Sequence, residues 1–247
     1  MDRIKSWLRR KNNSIRFGVS FWLSRDIAIP EELRIGSEEV KIRYPDQHGI
    51  YADFSTIFLD DCYGLLDKKI EAESIHILDV GANIGLFSIA AASTYPEAKI
   101  HGYEPTPALE KYLQPHAEQA GFEYFLEAVG ATDGLVTLKQ ESEFNLTRVD
   151  SNSEGSIPMV SLSTAVKRLG GRVDLLKLDC EGAEWEILEK ADCWGAIQNI
   201  AMEYHLWAKE EATHRLIKSI LESVGFEVTE HRYSQNADHG IIWGTKL

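Results

Sequence analysis

The stretch Ile75–Ser93, IHILDVGANIGLFSIAAAS, decides the fold of this 247-residue chain. The short apolar run Ile75–Val80 predicts a buried strand, and the pattern from Ile84 to Ser93 predicts a helix. Gly81 lies in the turn between them, where glycine permits a left-handed backbone and lets the chain pass close to a ligand. Gly85 precedes the body of the helix, where a glycine allows tight packing against the strand. A cofactor-binding loop requires this strand–turn–helix context.

Strands and helices alternate along the rest of the chain. Apolar runs and helical stripes predict strands at Lys99–Tyr103, Glu123–Val129, Leu135–Leu138, Val173–Asp179 and Asn199–Tyr204, with helices at Pro107–Ala120, Ala183–Ala191 and Ala208–Val224. This alternation is typical of a parallel sheet with helices on both faces. Two final strands, Phe226–Glu230 and Ile241–Gly244, have no helix between them. We therefore expect an α/β Rossmann-like fold, with a mostly parallel seven-stranded sheet and a C-terminal antiparallel hairpin.

The first part of the chain has a different pattern. Residues 1–70 predict an N-terminal α/β cap, and residues 71–247 predict the cofactor-binding domain. The cap is expected to hold a short helix and then strands near Glu39–Tyr44 and Asp53–Leu59. Within the second domain, the polar segment 140–156 is rich in Ser, Asn and Glu and predicts a surface loop.

Basic residues surround Ile4, Trp7 and Leu8 at the start of the cap. This pattern fits either a short helix on a membrane surface or a helix docked on the core. The apolar face is small, which favours the docked helix.

Composition limits the class of protein. The formal net charge of −13 would repel a polyphosphate backbone, so we expect no nucleic-acid partner. The three cysteines form no CxxC pair, which argues against a disulfide framework or a zinc site and favours the cytoplasm. The apolar run Phe17–Leu23 is far shorter than the roughly 20 residues that cross a bilayer, so we expect no transmembrane segment.

The loop spacing indicates which cofactor is bound. Three residues separate Gly81 from Gly85, with Asn83 where many loops have a middle glycine, so the pattern departs from the GxGxxG of nicotinamide-binding proteins. That middle glycine makes room for a pyrophosphate, which S-adenosylmethionine lacks. An acid at Asp79 could meet its ammonium, and Glu104 at the end of the next strand could accept hydrogen bonds from ribose hydroxyls. The alternative is a glycine-rich turn followed by a surface acid.

Four motifs together resemble the FkbM methyltransferase family: DVGANIG at 79–85, YEP at 103–105, DLLKLDCEGAE at 174–184 and EYH at 203–205. The resemblance covers roughly residues 50 to 245 and implies a class I methyltransferase fold, to which the terminal strand pair also points. It implies cofactor contacts from Asp79, Gly81, Ala82, Asn83, Gly85, Glu104, Pro105, Glu127, Ala128 and Asp179. The segment Glu127–Gly130 would lie near the adenine, although Glu127 stands where the family often has an amide.

Acidic residues and a histidine follow two successive strands. Asp179, Glu181 and Glu184 follow one strand, and Glu203 and His205 end the next, so all should share the ligand-binding edge of the sheet. Methyl transfer to an alcohol needs a group that removes the hydroxyl proton. His205 is the first candidate base and Asp179 the second, with Glu181 a further catalytic candidate.

The same acids suggest a metal alternative. Asp179, Glu203 and His205, with Glu181 nearby, could bind a divalent cation that lowers the pKa of the acceptor hydroxyl. Each of two acids also has a purely structural interpretation. Glu184 could stabilise the start of a helix, and Glu181 could bind the backbone amides of the following helix.

Aromatic and acidic residues near this edge are candidates for the acceptor pocket. Tyr51, Asp60, Asp61 and Tyr63 could roof it, although core packing fits the tyrosines as well. Trp185, Trp194 and Trp207 could stack on a flat acceptor or a sugar, and ordinary packing is favoured for each.

With these residues, the resemblance implies an S-adenosylmethionine-dependent O-methyltransferase that acts on a hydroxyl of a small-molecule natural product or saccharide. Two alternatives stay open: a nicotinamide-dependent oxidoreductase, and a non-catalytic protein with the same fold.

Overall fold

A computed structural model describes residues 2–19, 29–35, 38–46, 48–139, 148–150, 155–233 and 238–246. The helices are α1 (Asp2–Phe17), α2 (His48–Phe54), α3 (Leu86–Thr94), α4 (Glu110–Ala120), α5 (Leu162–Leu169), α6 (Glu184–Lys190) and α7 (His214–Ser223). A π-helical turn, Ser55–Leu59, continues α2, and short 3-10 turns span Pro107–Leu109, Trp194–Ala196 and Leu206–Ala208.

The strands fall into a central sheet, a small sheet and a hairpin. They are β1 (Glu32–Ile35), β2 (Glu38–Lys41), β3 (His76–Val80), β4 (Lys99–Tyr103), β5 (Glu123–Phe125), β6 (Ala128–Gly130), β7 (Gly134–Lys139), β8 (Arg148–Asp150), β9 (Ile157–Ser161), β10 (Leu175–Leu178), β11 (Asn199–His205), β12 (Phe226–Tyr233) and β13 (His239–Lys246).

The central sheet has seven strands in the order β12-β13-β11-β10-β3-β4-β5. β10 pairs in parallel with β3 and β11, β3 with β4, and β4 with β5, whereas β13 is antiparallel to both β11 and β12. This confirms the Rossmann-like fold with a mostly parallel sheet and a C-terminal antiparallel hairpin. The strand order reverses between β3 and β10, and ligands bind at such a switch point, outside the carboxyl ends of the strands.

Each face of the sheet is covered by its own hydrophobic core. One core contains α3 and α4 together with buried residues of the first 70 residues, and the other contains α5, α6 and α7. Within the first, the ring of Phe58 lies 4.9 Å from that of Phe17 and 4.8 Å from that of Phe54. The N-terminal segment therefore shares a core with the sheet, and a domain division at residue 70 stays a prediction.

The predicted strand at Asp53–Leu59 is wrong, because this segment belongs to α2 and the π-helical turn. Ile50, Phe54 and Phe58 are all buried at intervals of four residues, which is the period of a helix face. The β-branched and aromatic residues of the segment suggested a strand, but burial of this face overrides their propensity.

The region after β4 also differs from prediction. The expected strand at Glu123–Val129 is split: β5 joins the central sheet, whereas β6 joins the small sheet of order β6-β9-β7-β8. Part of the predicted 140–156 loop is strand, because β8 pairs with β7. Residues 140–147 and 151–154 of that predicted loop lie outside the described residues.

Two helix starts follow from side-chain caps. Helix α5 was not predicted, although Ser161 caps it by accepting from the Thr164 amide at 3.1 Å. Helix α7 begins at His214 and not at Ala208, because Thr213 caps it by accepting from the Leu216 amide at 3.2 Å.

Helix α1 docks on the body of the protein, as favoured from the sequence. Asn13 donates to the Leu59 carbonyl at 2.9 Å, and Phe17 is buried against Phe58. Within the described part of the chain, no helix combines the length and apolar character needed to cross a membrane.

Candidate active site

The loop after β3 lies against the end of β10. Gly81 has φ +78°, and a Cβ there would stand 1.7 Å from the Asp179 carbonyl oxygen, so no other residue fits without moving the backbone. The amides of Gly81 and Ala82 both donate to the Tyr103 carbonyl, at 3.0 and 2.9 Å. The close approach predicted at Gly81 therefore exists, but its nearest partner is the neighbouring strand end.

Gly85 has a packing role that differs from the predicted one. Its φ is +87°, and a Cβ there would come within 2.9 Å of the Phe122 ring and 3.0 Å of Leu113. Leu113 lies on α4, and Phe122 follows that helix. Gly85 thus allows tight packing against α4, whereas the sequence suggested packing against the strand.

The Asp79 side chain contacts Lys177 and Ser88, and its expected contact with a cofactor ammonium stays a prediction. Asp79 is fully buried; its Oδ1 lies 3.3 Å from the Lys177 ammonium, and its Oδ2 accepts from the Ser88 hydroxyl at 2.7 Å. A buried charge needs a partner of opposite sign, and Lys177 supplies it. Asp79 therefore forms a buried ion pair with Lys177.

Lys177 was missed by the sequence reasoning, although a lysine inside the apolar strand β10 was a visible signal. Its ammonium donates to the carbonyls of Gly81 and Val80, and it lies 3.4 Å from the Asp179 carboxylate. Burial alone would lower the pKa of Lys177, but the charges of Asp79 and Asp179 outweigh burial and raise it above its ordinary value. Lys177 therefore stays charged and joins the loop to two carboxylates.

Glu104 fastens the same loop to the end of β4. The buried carboxylate accepts from the Asn83 amide at 2.9 Å and from the Thr106 amide at 2.9 Å. Burial raises the pKa of Glu104, and these hydrogen bonds oppose the rise. Because a carboxylate has about four lone-pair sites, it can still accept from ribose hydroxyls. That contact, and any from the adjacent Pro105, stays a prediction.

The Glu127 carboxylate is engaged by Arg168, whose guanidinium donates to it and lies 5.4 Å from the Phe125 ring centre. Ala128 is buried in β6. The structure thus gives Glu127 a different partner from the expected adenine, and adenine contacts from Glu127 and Ala128 stay predictions.

His205, Glu181 and Glu184 form a close group at the ends of β10 and β11. His205 Nε2 lies 3.6 Å from Glu181 Oε2, and its Nδ1 lies 3.3 Å from Glu184 Oε1. The buried Glu184 carboxylate also accepts from the amides of Cys180 and Gly182, both at 2.8 Å. These two amides flank Glu181, whose own φ of +50° is in the left-handed region. The expected convergence of Glu181, Glu184 and His205 is therefore present.

Ionisation in this group follows from burial and neighbouring charges. Burial raises the pKa of Glu181 to about 7, against the opposing effect of His205. Burial would lower the pKa of His205, but the hydrogen bond and charge of Glu184, with the charges of Glu181 and Asp179, raise it to about 9. His205 is therefore protonated at neutral pH, whereas Glu181 is close to half ionised.

A second polar group is centred on Tyr63. The Tyr63 hydroxyl donates to Asp179 Oδ2 at 2.9 Å and to Glu203 Oε2 at 3.2 Å. Burial raises the pKa of Glu203 to about 8, and the charge of Asp179 adds to the rise. Burial also raises the pKa of Tyr63, which keeps its hydroxyl a donor.

Tyr63, Asp179 and Glu203 border a cleft with about 440 Å³ of empty space, part of which is open to solvent; Glu181, Glu184 and His205 are not among its lining residues. Asn83, Lys177, Asp179 and Glu203 line it on the sheet side. Asn83 has φ +52°, and its buried Oδ1 lacks a hydrogen-bond partner among the described residues. A buried acceptor without a partner costs free energy unless a ligand satisfies it, so the cleft fits a bound molecule with donor groups.

The predicted roof is only partly correct. Tyr63 lines the cleft, whereas the Tyr51 ring packs 5.7 Å from that of Tyr44, and Asp61 accepts from backbone amides of its own loop. The other wall residues from the N-terminal segment are Asp53, Thr56 and Ile57. Sequence reasoning missed these three because it placed them in a strand.

Two of the three tryptophans near this edge pack inside the protein, as the sequence analysis favoured. Trp185 is buried and donates to the His205 carbonyl at 2.8 Å, and Trp194 packs on Phe226. Trp207 is partly exposed, with its ring 5.7 Å from that of His205.

One group of three side chains is close enough together to hold a cation. Asp179, Glu181 and His205 each offer a ligand atom, and these atoms lie within 4.8 Å of one another. Glu203 is not in this group, so the set differs from the expected Asp179, Glu203 and His205.

The strand order and the loop at the switch point define a class I methyltransferase fold. A family model described as the methyltransferase FkbM domain matches residues 79–228. The chain belongs to this family and is an S-adenosylmethionine-dependent methyltransferase, which argues against the nicotinamide alternative.

Two relatives and one solved structure illustrate the similarity. Methyltransferase 1 of Beauveria bassiana is 29% identical, and the match covers 78% of this chain and 91% of that protein. The 31-O-demethyl-FK506 methyltransferase FkbM of Streptomyces tacrolimicus is 25% identical, with 62% of this chain and 73% of that protein covered. The fibrillarin pre-rRNA processing protein of Methanococcus jannaschii is similar in fold, with TM-score 0.50 and 15% identity, covering 92% of this chain and 87% of that chain.

Proposed function

We propose that this methyltransferase acts on a hydroxyl of a small-molecule natural product or saccharide. The observation that carries the proposal is the Glu181–His205 pair at the carboxyl ends of β10 and β11, since an alcohol must lose its proton as it is methylated. The name of the Streptomyces relative, a 31-O-demethyl-FK506 methyltransferase, supports transfer to oxygen. A small-molecule acceptor, the absence of nucleic acid and a cytoplasmic location remain predictions from the sequence.

The cofactor would be held by the loop and by the ends of the neighbouring strands. S-adenosylmethionine supplies an electrophilic methyl group on a sulfonium, with a thioether as leaving group. Asn83 Oδ1 is available to accept a hydrogen bond, and the Glu104 carboxylate can accept hydrogen bonds from ribose hydroxyls. The Asp179 carboxylate lines the cleft, which suits a cationic ligand.

The proton acceptor proposed first is Glu181. A general base works best when its pKa lies near the working pH, and the pKa of Glu181 is about 7. His205 was the first candidate from the sequence, but its pKa of about 9 leaves it protonated at neutral pH. His205 then serves as the cation that holds the Glu181 carboxylate, and Asp179 is the second candidate base.

A divalent cation is a second candidate feature, favoured by the spacing of Asp179, Glu181 and His205. A metal would have to displace the proton from His205, because only neutral imidazole is a ligand. If methylation continues at full rate after exhaustive chelation, the cation has no part in the reaction.

The first test measures binding of the cofactor product, and a second test identifies the methylated product. Isothermal titration with S-adenosylhomocysteine should give binding to the wild type and about tenfold weaker binding to Asn83→Gly, which keeps the left-handed backbone and removes the unpaired oxygen. Unchanged binding in Asn83→Gly would remove Asn83 from the cofactor site.

Methyl-labelled S-adenosylmethionine would then be offered with panels of hydroxyl, amine and carboxyl acceptors, and the product linkage determined by NMR. O-methyl ethers support the proposal, whereas N-methyl products or methyl esters overturn it.

A further inference from the structure

Helix α1 leaves most of its large apolar side chains in contact with solvent. Ile4 is 73% exposed, Ile15 72%, Leu8 46% and Trp7 38%. Outside α1, only Leu135, Trp207 and Leu216 are large apolar side chains that the described residues leave exposed. Such a concentration on one surface helix marks an interaction site.

The exposed side chains lie on one face. Positions 4, 8, 11 and 15 follow each other at intervals of three or four residues, so Ile4, Leu8, Lys11 and Ile15 form a stripe along the helix. A different side of α1 contacts the body of the protein. The residues buried there are Asn13, Ser14 and Phe17. Docking of α1 therefore accounts for one face and leaves the apolar one without a function.

Cations accompany the apolar stripe. Lys5, Lys11 and Arg16 are exposed, and the Lys11 ammonium lies 5.1 Å from the Trp7 ring centre. In a chain of net charge −13, this local excess of positive charge is opposite in sign to the rest of the molecule. Two other basic residues point inward: Arg9 pairs with Asp67, and Arg10 lies 3.4 Å from Asp60.

We propose that α1 lies on an anionic lipid surface, with Ile4, Leu8 and Ile15 inserted at the boundary between headgroups and acyl chains. Lys5, Lys11 and Arg16 would contact lipid phosphates, and Trp7 would sit at the interface, where indole rings are favoured. Helices that lie in the plane of a membrane surface combine an apolar face with Lys, Arg and Trp, as α1 does.

The placement of α1 relates this surface to the cleft. Asn13 donates to the carbonyl of Leu59, the last residue of the π-helical turn, and Thr56 and Ile57 of the same turn line the cleft. A protein bound through α1 would therefore hold the wall of its active site close to the lipid surface. Binding of α1 to lipid can be measured without knowing the methyl acceptor.

The test is flotation of the full chain with vesicles of phosphatidylcholine, alone or mixed with phosphatidylglycerol. We expect flotation with the anionic vesicles at low salt, and a decrease in high salt because screening weakens the contacts of the cations. Ile4→Glu and Ile15→Glu should each weaken binding about tenfold or more, since each removes the burial of one large apolar side chain. Lys5→Glu should weaken it about fivefold or more.

The matched control is Leu216→Glu, which changes an exposed apolar residue on α7 and should float like the wild type. Thermal unfolding of each variant separates lost binding from lost folding. Failure of the wild type to float with anionic vesicles overturns the proposal, as does flotation that the α1 substitutions leave unchanged. Concentration-dependent self-association without flotation, abolished by Ile15→Glu, would assign the face to a second copy of the chain instead.

Discussion

The Glu184 carboxylate lies 3.3 Å from Nδ1 of His205 while it accepts from the backbone amides on both sides of Glu181. One buried carboxylate thus fixes the ring orientation of the histidine and the backbone of a left-handed residue. Its position at the first turn of α6 also stabilises the helix start, as suggested from the sequence. The structural and functional interpretations of Glu184 are therefore compatible.

Glu184→Gln should reduce stability and alter the ionisation of His205. A glutamine oxygen can accept from one of the two amides, but its NH2 group cannot accept from the other, and a buried unsatisfied donor costs about 1–3 kcal/mol. Loss of the Glu184 charge should also lower the pKa of His205 from about 9. Urea unfolding and NMR titration of the imidazole measure the two effects.

Glu186→Gln is the matched control for Glu184→Gln, because Glu186 lies on the same helix but pairs at the surface with Lys190. It should change stability by less than about 0.5 kcal/mol and leave the His205 titration unchanged. If both variants shift His205 equally, Glu184 has no special role in positioning it.

Glu181→Gln should lower kcat by about 10²–10⁴-fold, the usual contribution of a general base. In the wild type, kcat/KM should rise as pH increases through about 7, because the ionised carboxylate is the active form. The variant should lose this rise. Glu210→Gln, at an exposed glutamate five residues after His205, should keep both the rate and the pH profile. A rise centred near 9 that survives in Glu181→Gln would instead identify His205 as the base.

Lys177→Met should cost about 3–5 kcal/mol of unfolding free energy, because it leaves buried Asp79 without its cation. The double variant Lys177→Met with Asp79→Asn should recover part of that loss, since the uncompensated charge is gone. Urea unfolding of the two single variants and the double variant completes the cycle. Equal stability of Lys177→Met and the double variant would contradict this account of the ion pair.

The fold was predictable because its strongest signals are local. The apolar run of β3, the glycine turn and α3 follow directly from residues 75–93, and the strand pair at the end predicted the hairpin. The error at Asp53–Leu59 arose because the segment has strand-like residues but buries a helical face against Phe17, which is distant in sequence. Tertiary packing decided between the two possibilities.

The site was predictable at the level of the sheet edge but not of individual contacts. Chain direction alone placed Asp179, Glu181 and His205 together, and the structure brings them together. The inward turn of Asp79 depends on Lys177, which comes from another strand. Likewise, Arg168 on α5 engages Glu127, and that helix was not predicted at all. Pairings between distant residues carry no local sequence signal.

The glycine turn offers a sharp test of the packing between the loop and β10. Gly81 and Gly121 have nearly the same φ, +78° and +75°, but a Cβ at Gly81 would stand 1.7 Å from the Asp179 carbonyl, whereas nothing lies within 4 Å at Gly121. Gly121→Ala should therefore cost only the left-handed strain, about 1–2 kcal/mol. Gly81→Ala should cost more than that and also abolish binding of S-adenosylhomocysteine, because the loop and the Asp179 backbone must separate. Urea unfolding and calorimetric titration of both variants compare the two positions. If the two substitutions reduce stability equally and both proteins bind the ligand, the contact between Gly81 and Asp179 does not constrain the cofactor loop.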